Sequence, residues 1–265
     1  MKIAIIGAGN LGLSIAKGIL NSNGATTMYL TKKNAASIEH FEKYGNVTVT
    51  TNNREAVEKS DILIFAVQPN HIEKPLGEAK DLLTENHVVI STITGFSIEK
   101  IERIIGKDQN ILRSMPNTAI SVEKSMTCIC SNEKRKKRTE LVKAIFNRMG
   151  HFMEIPKEQM QAATVIFASG IAFWMRLIRA TTQGAIQLGF DAKEAQELAI
   201  YTCNGAAELL IESGNHPEEE IDRVTTPMGC TIEGLNEMEH QGLSSSLIRG
   251  IVTSFDKISA FKVKN

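Results

Sequence analysis

The sequence predicts an α/β chain in which a doubly wound parallel sheet is followed by an all-helical region. Three observations carry that reading. Continuous apolar runs alternate with helical patterns through the first half, as in a parallel sheet covered on both faces. A glycine cluster, Gly7–Gly12, stands between the first such run and the first helical pattern. Beyond about residue 156 strand signals stop, and Ala, Leu and Ile recur at helical spacing. The expected domains are therefore 1–156 and 157–265.

Taken in order, Lys2–Ile6 (KIAII), Thr26–Thr31 (TTMYLT), Ile62–Val67 (ILIFAV), Val88–Thr92 (VVIST) and Ile111–Met115 (ILRSM) read as strands. Asn10–Leu20 and Asn34–Tyr44 read as helices between them. From Met160 to Ile211 no strand is expected, with breaks at Gly189 and Gly214. Ser213–Glu218 (SGNHPE) reads as a loop, and Thr225–Gly234 (TTPMGCTIEG) as a turn entering a last helical pair. The second half is apolar on too many sides for a set of lone surface helices. It is expected to bury a face against another subunit.

Thirty basic and thirty acidic side chains cancel, so no overall field attracts nucleic acid or an anionic membrane. The basic run Lys134–Arg138 (KRKKR) reads as the solvated first turn of a surface helix. Met1 leads into a strand-like run without a basic-then-apolar leader, and no apolar run approaches the roughly 18 residues that span a bilayer. A cytoplasmic protein is expected. Cys128, Cys130, Cys203 and Cys230 lack zinc-site spacing and the histidines form no HxxxH or HExxH pattern. Buried reduced thiols are expected, with no metal and no disulfide.

Gly7-Ala8-Gly9-Asn10-Leu11-Gly12 is GxGxxG. Following a strand and opening a helix, it reads as the dinucleotide fingerprint of a Rossmann-type domain. The first Gly allows the tight turn, the second lets a pyrophosphate approach, and the third lets helix and strand pack closely. The helix start supplies free N–H groups and partial positive charge. A βα turn that merely needs glycines is the plainer alternative. Where an NAD site places an acid on the ribose, this chain has Leu30-Thr31-Lys32-Lys33-Asn34. A hydroxyl, an amide and two ammonium groups suit a 2′-phosphate. NADP is thus preferred over NAD, with Thr31, Lys32 and Lys33 as contacts, although no Arg is present to fork and stack.

Four blocks, in order and at matching spacing, resemble the pyrroline-5-carboxylate reductase family across essentially the whole chain. GAGNLG at 7–12 is similar to its opening GAGNMG. Asn53-Arg54-Glu55-Ala56-Val57, then Asp61 and Ala66-Val67-Gln68-Pro69, resemble N-x-E-A-V…D…A-V-K-P. Ser114-Met115-Pro116-Asn117-Thr118 resembles R-x-M-P-N-T-P, and Val224–Thr231 resembles V-T-S-P-G-G-T-T. The resemblance implies hydride transfer from NADPH to the C=N carbon of Δ1-pyrroline-5-carboxylate, giving L-proline. It implies that Asn53 meets the adenosine side of the cofactor and that Ala66, Val67, Gln68 and Pro69 line its groove. Pro116 and Asn117 would sit by the nicotinamide. It also implies an interlocked homodimer or higher homo-oligomer, in which the turn of one subunit serves the cofactor of another.

The turn then acquires a purpose. A carboxylate wants backbone donors, and a turn running into a helix start presents several. Met228, Gly229, Cys230 and Thr231 are the expected substrate contacts, with the Thr231 hydroxyl meeting the imine nitrogen. From its position alone, Thr231 reads as an N-cap. Ser169 is a second candidate near the ring or a bound water, or else a small residue at a helix crossing. The chain departs from the family at Ile171, Phe173, Met228 and Cys230, which bears on substrate choice. Two alternatives stand beside the main reading: an NADP-dependent reductase of another cyclic imine or small ketoacid, and a non-catalytic NADP-binding regulatory protein.

Overall fold

The computed structural model describes residues 1–132, 134 and 136–263, with the side chains of all of these except 136–138 and 260–263. One sheet has the order β3-β2-β1-β4-β5-β6-β7-β8. Its strands are β1 Lys2–Ile6, β2 Thr27–Thr31, β3 Val47–Thr50, β4 Ile62–Phe65, β5 Val88–Ser91, β6 Asn110–Met115, β7 Ser125–Ser131 and β8 Gly150–Glu154. β1 to β6 are mutually parallel. β7 runs antiparallel to β6, and β8 runs parallel to β7. The order reverses between β1 and β4. At such a switch point the carboxyl ends of the strands leave a ligand crevice.

Helices α1 Asn10–Asn21, α2 Asn53–Glu58, α3 Glu73–Ala79, α4 Ile98–Ile105 and α5 Lys136–Asn147 cover both faces. Alternate residues of β1 serve opposite sides: Ile3 and Ile5 pack with Ile15, Ile19 and Phe146, while Ala4 and Ile6 pack with Val57, Leu76 and Ile101. Both faces are dry, which is why the strands read as continuous apolar runs. Burying a side chain such as Ile5 contributes about 1.5–3 kcal/mol. Asn52 and Ser97 cap α2 and α4 by accepting from the Glu55 and Lys100 N–H groups.

Several expectations need correction. Asn34–Tyr44 is a 3-10 helix over Ala35–Tyr44, not an α-helix. Its two buried residues, Ile38 and Phe41, are three apart, the repeat of that tighter helix. Strands β3, β7 and β8 were not expected. The loop at 213–218 is shorter than read, because Pro217 opens a helix. Of the basic run, Lys134 is exposed and α5 begins at Lys136. Residues 133 and 135 and the side chains of 136–138 lie outside the described residues.

From residue 157 the chain is helical: a 3-10 turn Lys157–Gln159, α6 Met160–Ala163, a π-helix Thr164–Ser169, α7 Gly170–Gln187, α8 Ala192–Ser213, α9 Pro217–Val224, α10 Cys230–His240 and α11 Leu243–Val263. Positive φ at Gly189 and Gly214 marks the two breaks. The compact units divide elsewhere than at residue 156. Met1–Ser169 with the residues from Phe255 onward form one, and Gly170–Ser254 form the other. Met160 and Val165 are buried, Met160 within the core of the second sheet face, so the first helical turns pack with the sheet.

In the second unit α7 and α8 pack together, yet their buried residues are Gly170 and Thr182, and Ala195 and Ala199. Trp174, Met175, Tyr201, Leu209 and Ile211 are exposed. Lys157–Gln187 is one helical stretch long and apolar enough to cross a membrane by length and composition. That corrects the expectation from uninterrupted runs: isolated polar residues such as Gln161 and Ser169 break the run without lowering its average enough.

Candidate functional site

The glycine loop is held by the backbone around it. Gly7 has φ 99°, and a Cβ there would lie 2.5 Å from Val67 Cγ1. Its N–H donates to Thr31 O (3.2 Å) and Thr31 Oγ1 (3.3 Å), and Ala8 N–H donates to Thr31 O (2.8 Å). A Cβ on Gly12 would meet Gly7 O at 2.4 Å, so α1 lies against the loop as the fingerprint requires. At Gly9 nothing lies within 4 Å of an added Cβ. Gly9 is also the N-cap of α1 without a side-chain cap, and no acid stands in the first turn. The result is an exposed, uncapped helix start at the switch point, with Gly9 and Asn10 open and Leu11 half-buried. These residues fit a pyrophosphate.

Thr31, expected on the 2′-phosphate, is buried, and its hydroxyl oxygen accepts from Gly7. It anchors the loop. Lys32 is half-buried and Lys33 exposed, and neither has an ion-pair partner among the described residues. Both ammonium groups are therefore available to an anion beyond β2.

Along the same edge, Ala66 follows β4 and donates its N–H to Ile6 O (2.9 Å), tying β4 to β1. Val67 supports Gly7, while Gln68 and Pro69 are exposed. Asn53, expected on the adenosine side, donates to Glu78 Oε2 at 2.8 Å. Pro116 is buried after β6. Asn117 Oδ1 accepts from Ala119 N–H (3.0 Å), and its Nδ2 donates to Phe167 O (3.2 Å) in the π-helix. Ser169 closes that π-helix, half-buried, with no hydrogen-bond partner for its hydroxyl among the described residues.

Sequence reasoning missed the loop after β5, Thr92–Gly95, which leaves the same edge between β4 and β6. Thr92 Oγ1 donates to Phe65 O (3.1 Å), and the buried Arg113 of β6 donates from Nη2 to Ile93 O (3.3 Å). Burial holds the Arg113 guanidinium below its ordinary pKa. The signal was Gly95, a glycine just past a strand end, here at φ 75°. On β7, burial pushes the Cys128 thiol up to about 11, and Cys130 moves the same way. Cys203 is half-buried and Cys230 exposed, correcting the expectation of four buried thiols.

In the second unit the turn follows α9. Gly229 N–H donates to Thr226 O (2.9 Å), and a Cβ on Gly229 would sit 2.4 Å from Thr226 Oγ1. Gly229 is the N-cap of α10, again without a side-chain cap. Thr231 is thus the second residue of the helix, not its cap. It is exposed, and its hydroxyl has no partner among the described residues. Met228 adopts φ 57° and is 96% exposed. That left-handed conformation explains why Gly suits the position.

Comparison with known proteins gives the family. Residues 157–260 fit the family model described as pyrroline-5-carboxylate reductase dimerisation, and residues 2–95 fit that of NADP oxidoreductase coenzyme F420-dependent. Pyrroline-5-carboxylate reductase 2 of Dictyostelium discoideum is 39% identical over 275 residues, covering 97% of this chain and 92% of the relative. This chain belongs to the pyrroline-5-carboxylate reductase family. It is an oxidoreductase of that family, and its helical half carries the family's dimerisation segment. Pyrroline-5-carboxylate reductase 1 of the same organism is 44% identical over 272 residues; the chain spans 49% of that longer relative. A crystal structure of Plasmodium falciparum pyrroline carboxylate reductase with NADP bound is 25% identical, with a TM-score of 0.89 and coverage of 99% and 98% of the two chains.

Proposed function

We propose that this chain is an NADPH-dependent reductase that transfers hydride to the C=N carbon of Δ1-pyrroline-5-carboxylate, giving L-proline. What carries the reading is the pairing, in one member of this family, of two uncapped helix starts, at Gly9 and at Gly229. The first suits a pyrophosphate, and the second suits a small carboxylate.

Bound NADPH supplies the hydride. Gly7, Gly9, Asn10, Leu11 and Gly12 receive the pyrophosphate. Lys32 and Lys33 neutralise the 2′-phosphate, with Thr31 fixing the loop behind them. Asn53 stands at the adenosine side. Ala66, Val67, Gln68 and Pro69 line the groove, and Pro116 and Asn117 border the nicotinamide. Met228, Gly229 and Cys230 bring backbone donors to the substrate carboxylate. The Thr231 hydroxyl bonds the ring nitrogen, with Ser169 as a second contact to the ring or a water. A neutral Thr is a weak acid, so the imine binds already protonated; the C=N π pair then becomes the amine lone pair as the carbon gains hydride. Thr231 orients the ring and does not titrate. The sequence division at 1–156 and 157–265 separates cofactor work from assembly and substrate work.

The chain works as a homodimer or higher homo-oligomer through its helical half. The exposed apolar side chains of α7 and α8 support this, and they give Lys157–Gln187 a protein partner in place of lipid. The cytoplasm is the compartment proposed, in keeping with four free thiols. The test is NADPH oxidation on adding pyrroline-5-carboxylate, with proline identified as product and NADH run in parallel. Turnover of the five-membered imine well above its six-membered homologue supports the reading. Preference for the homologue or a ketoacid, or tight NADPH binding without turnover, overturns it.

A further inference from the structure

We propose that Asn117 is a positioning residue: it holds the π-helical turn that ends at Ser169 and so sets the direction in which that serine faces. The inference rests on the reading of Ser169 as a contact of the reaction. Asn117 is fixed at the end of β6, where its N–H donates to the Oγ of buried Ser125 (3.2 Å). Its side chain then does two things at once. Oδ1 accepts from Ala119 N–H at 3.0 Å and starts the 3-10 turn Thr118–Val122, while Nδ2 donates to Phe167 O at 3.2 Å. The second bond crosses fifty residues of chain and ends inside the π-helix Thr164–Ser169.

A π turn holds one residue more per backbone hydrogen-bond ring than an α turn, and it persists only where outside contacts hold it. Its near side is held by the buried Thr164, whose Oγ1 donates to Met160 O at 2.7 Å, and by buried Met160 and Val165. The far side is held by Asn117. Reversion to continuous α-helix would rotate Ser169 by about 100° relative to those anchors, the angle of one residue. The amide therefore acts on the reaction through the serine, and not only as a border of the nicotinamide.

Asn117→Asp tests this, because the carboxylate keeps the acceptor for Ala119 and removes the donor to Phe167. The expected result has three parts. Amide hydrogen exchange across 164–172 accelerates. Turnover falls about ten- to hundredfold, a larger loss than any weakening of the Kd for NADPH. Adding Ser169→Ala to Asn117→Asp costs little more than Asn117→Asp alone, since the two act as a unit. Unchanged exchange overturns the proposal, as does normal turnover, or, where Ser169→Ala alone lowers turnover, full additivity of the two substitutions. If Ser169→Ala alone is silent while exchange accelerates in Asn117→Asp, the positioning stands and the reading of Ser169 as a reaction contact fails.

Discussion

The glycine loop at the sheet edge and the turn before α10 are both uncapped helix starts, yet they are built in opposite ways. In the loop, two of the three fingerprint glycines are dictated by their neighbours, Gly7 by Val67 and its positive φ and Gly12 by Gly7 O, and Thr31 is bonded to the loop. Only Gly9 is left free, and it faces solvent. The turn is held at Thr225 and Gly229, with Met228 strained and exposed and the Thr231 hydroxyl unpartnered among the described residues. A ligand site that must be rigid is determined by its own unit.

Substitutions separate the two designs. Gly12→Ala strikes the Gly7 backbone oxygen at 2.4 Å, and thermal and urea unfolding are expected to show a loss of about 1–3 kcal/mol. An unchanged Tm would mean that the loop is far less determined than its contacts imply. Gly9→Ala adds a methyl into open space, so stability stays within about 0.5 kcal/mol. NADPH affinity nonetheless falls about tenfold, about 1.4 kcal/mol by fluorescence titration, because the methyl stands where the pyrophosphate must approach. Equal losses of stability in both variants would erase the distinction. At the turn, Met228→Gly relieves the left-handed strain. It is expected to raise stability by up to about 1 kcal/mol after the greater chain entropy of Gly is subtracted, leaving the Kd for NADPH unchanged.

The smallest effect lies where the helical segment meets α4. Lys157 Nζ sits 2.8 Å from Glu99 Oε1 and holds that carboxyl down at about 2. A carboxylate lowered on folding stabilises above its ordinary 4.5 and loses that contribution as pH falls through about 2. Both side chains are about half exposed, so solvent screening keeps the contribution small. In Lys157→Ala, NMR titration should return Glu99 towards 4.5. A carboxyl that still titrates near 2 would remove Lys157 as the cause.

Strands β1, β2, β4, β5 and β6 were legible because they are buried on both faces and so read as mostly apolar runs. β3 (VTVT), β7 (SMTCICS) and β8 (GHFME) were not. Thr, Ser and Cys dilute the apolar signal of β3 and β7, and β8 has only Phe152 and Met153 as apolar side chains. GxGxxG was legible as a tight strand–turn–helix, since Gly7 and Gly12 answer local backbone demands. The bonds of Asn117 to Ala119 and Phe167 were illegible, because one joins residues fifty apart. The π-helix hid for a related reason: one inserted residue leaves an apolar pattern that still reads as α-helix. The N-cap is Gly229, two residues before Thr231, because α10 already begins at Cys230.

The Thr231 hydroxyl, unpartnered among the described residues, is proposed to work on the substrate. Steady-state kinetics of Thr231→Ala and Thr231→Ser, with NADPH affinity and Tm measured on the same preparations, test it most directly. The account predicts that Ala lowers kcat about a hundredfold with Tm and the Kd for NADPH unchanged, and that Ser restores most of it. Near-normal turnover in Thr231→Ala, with proline still formed, would contradict it.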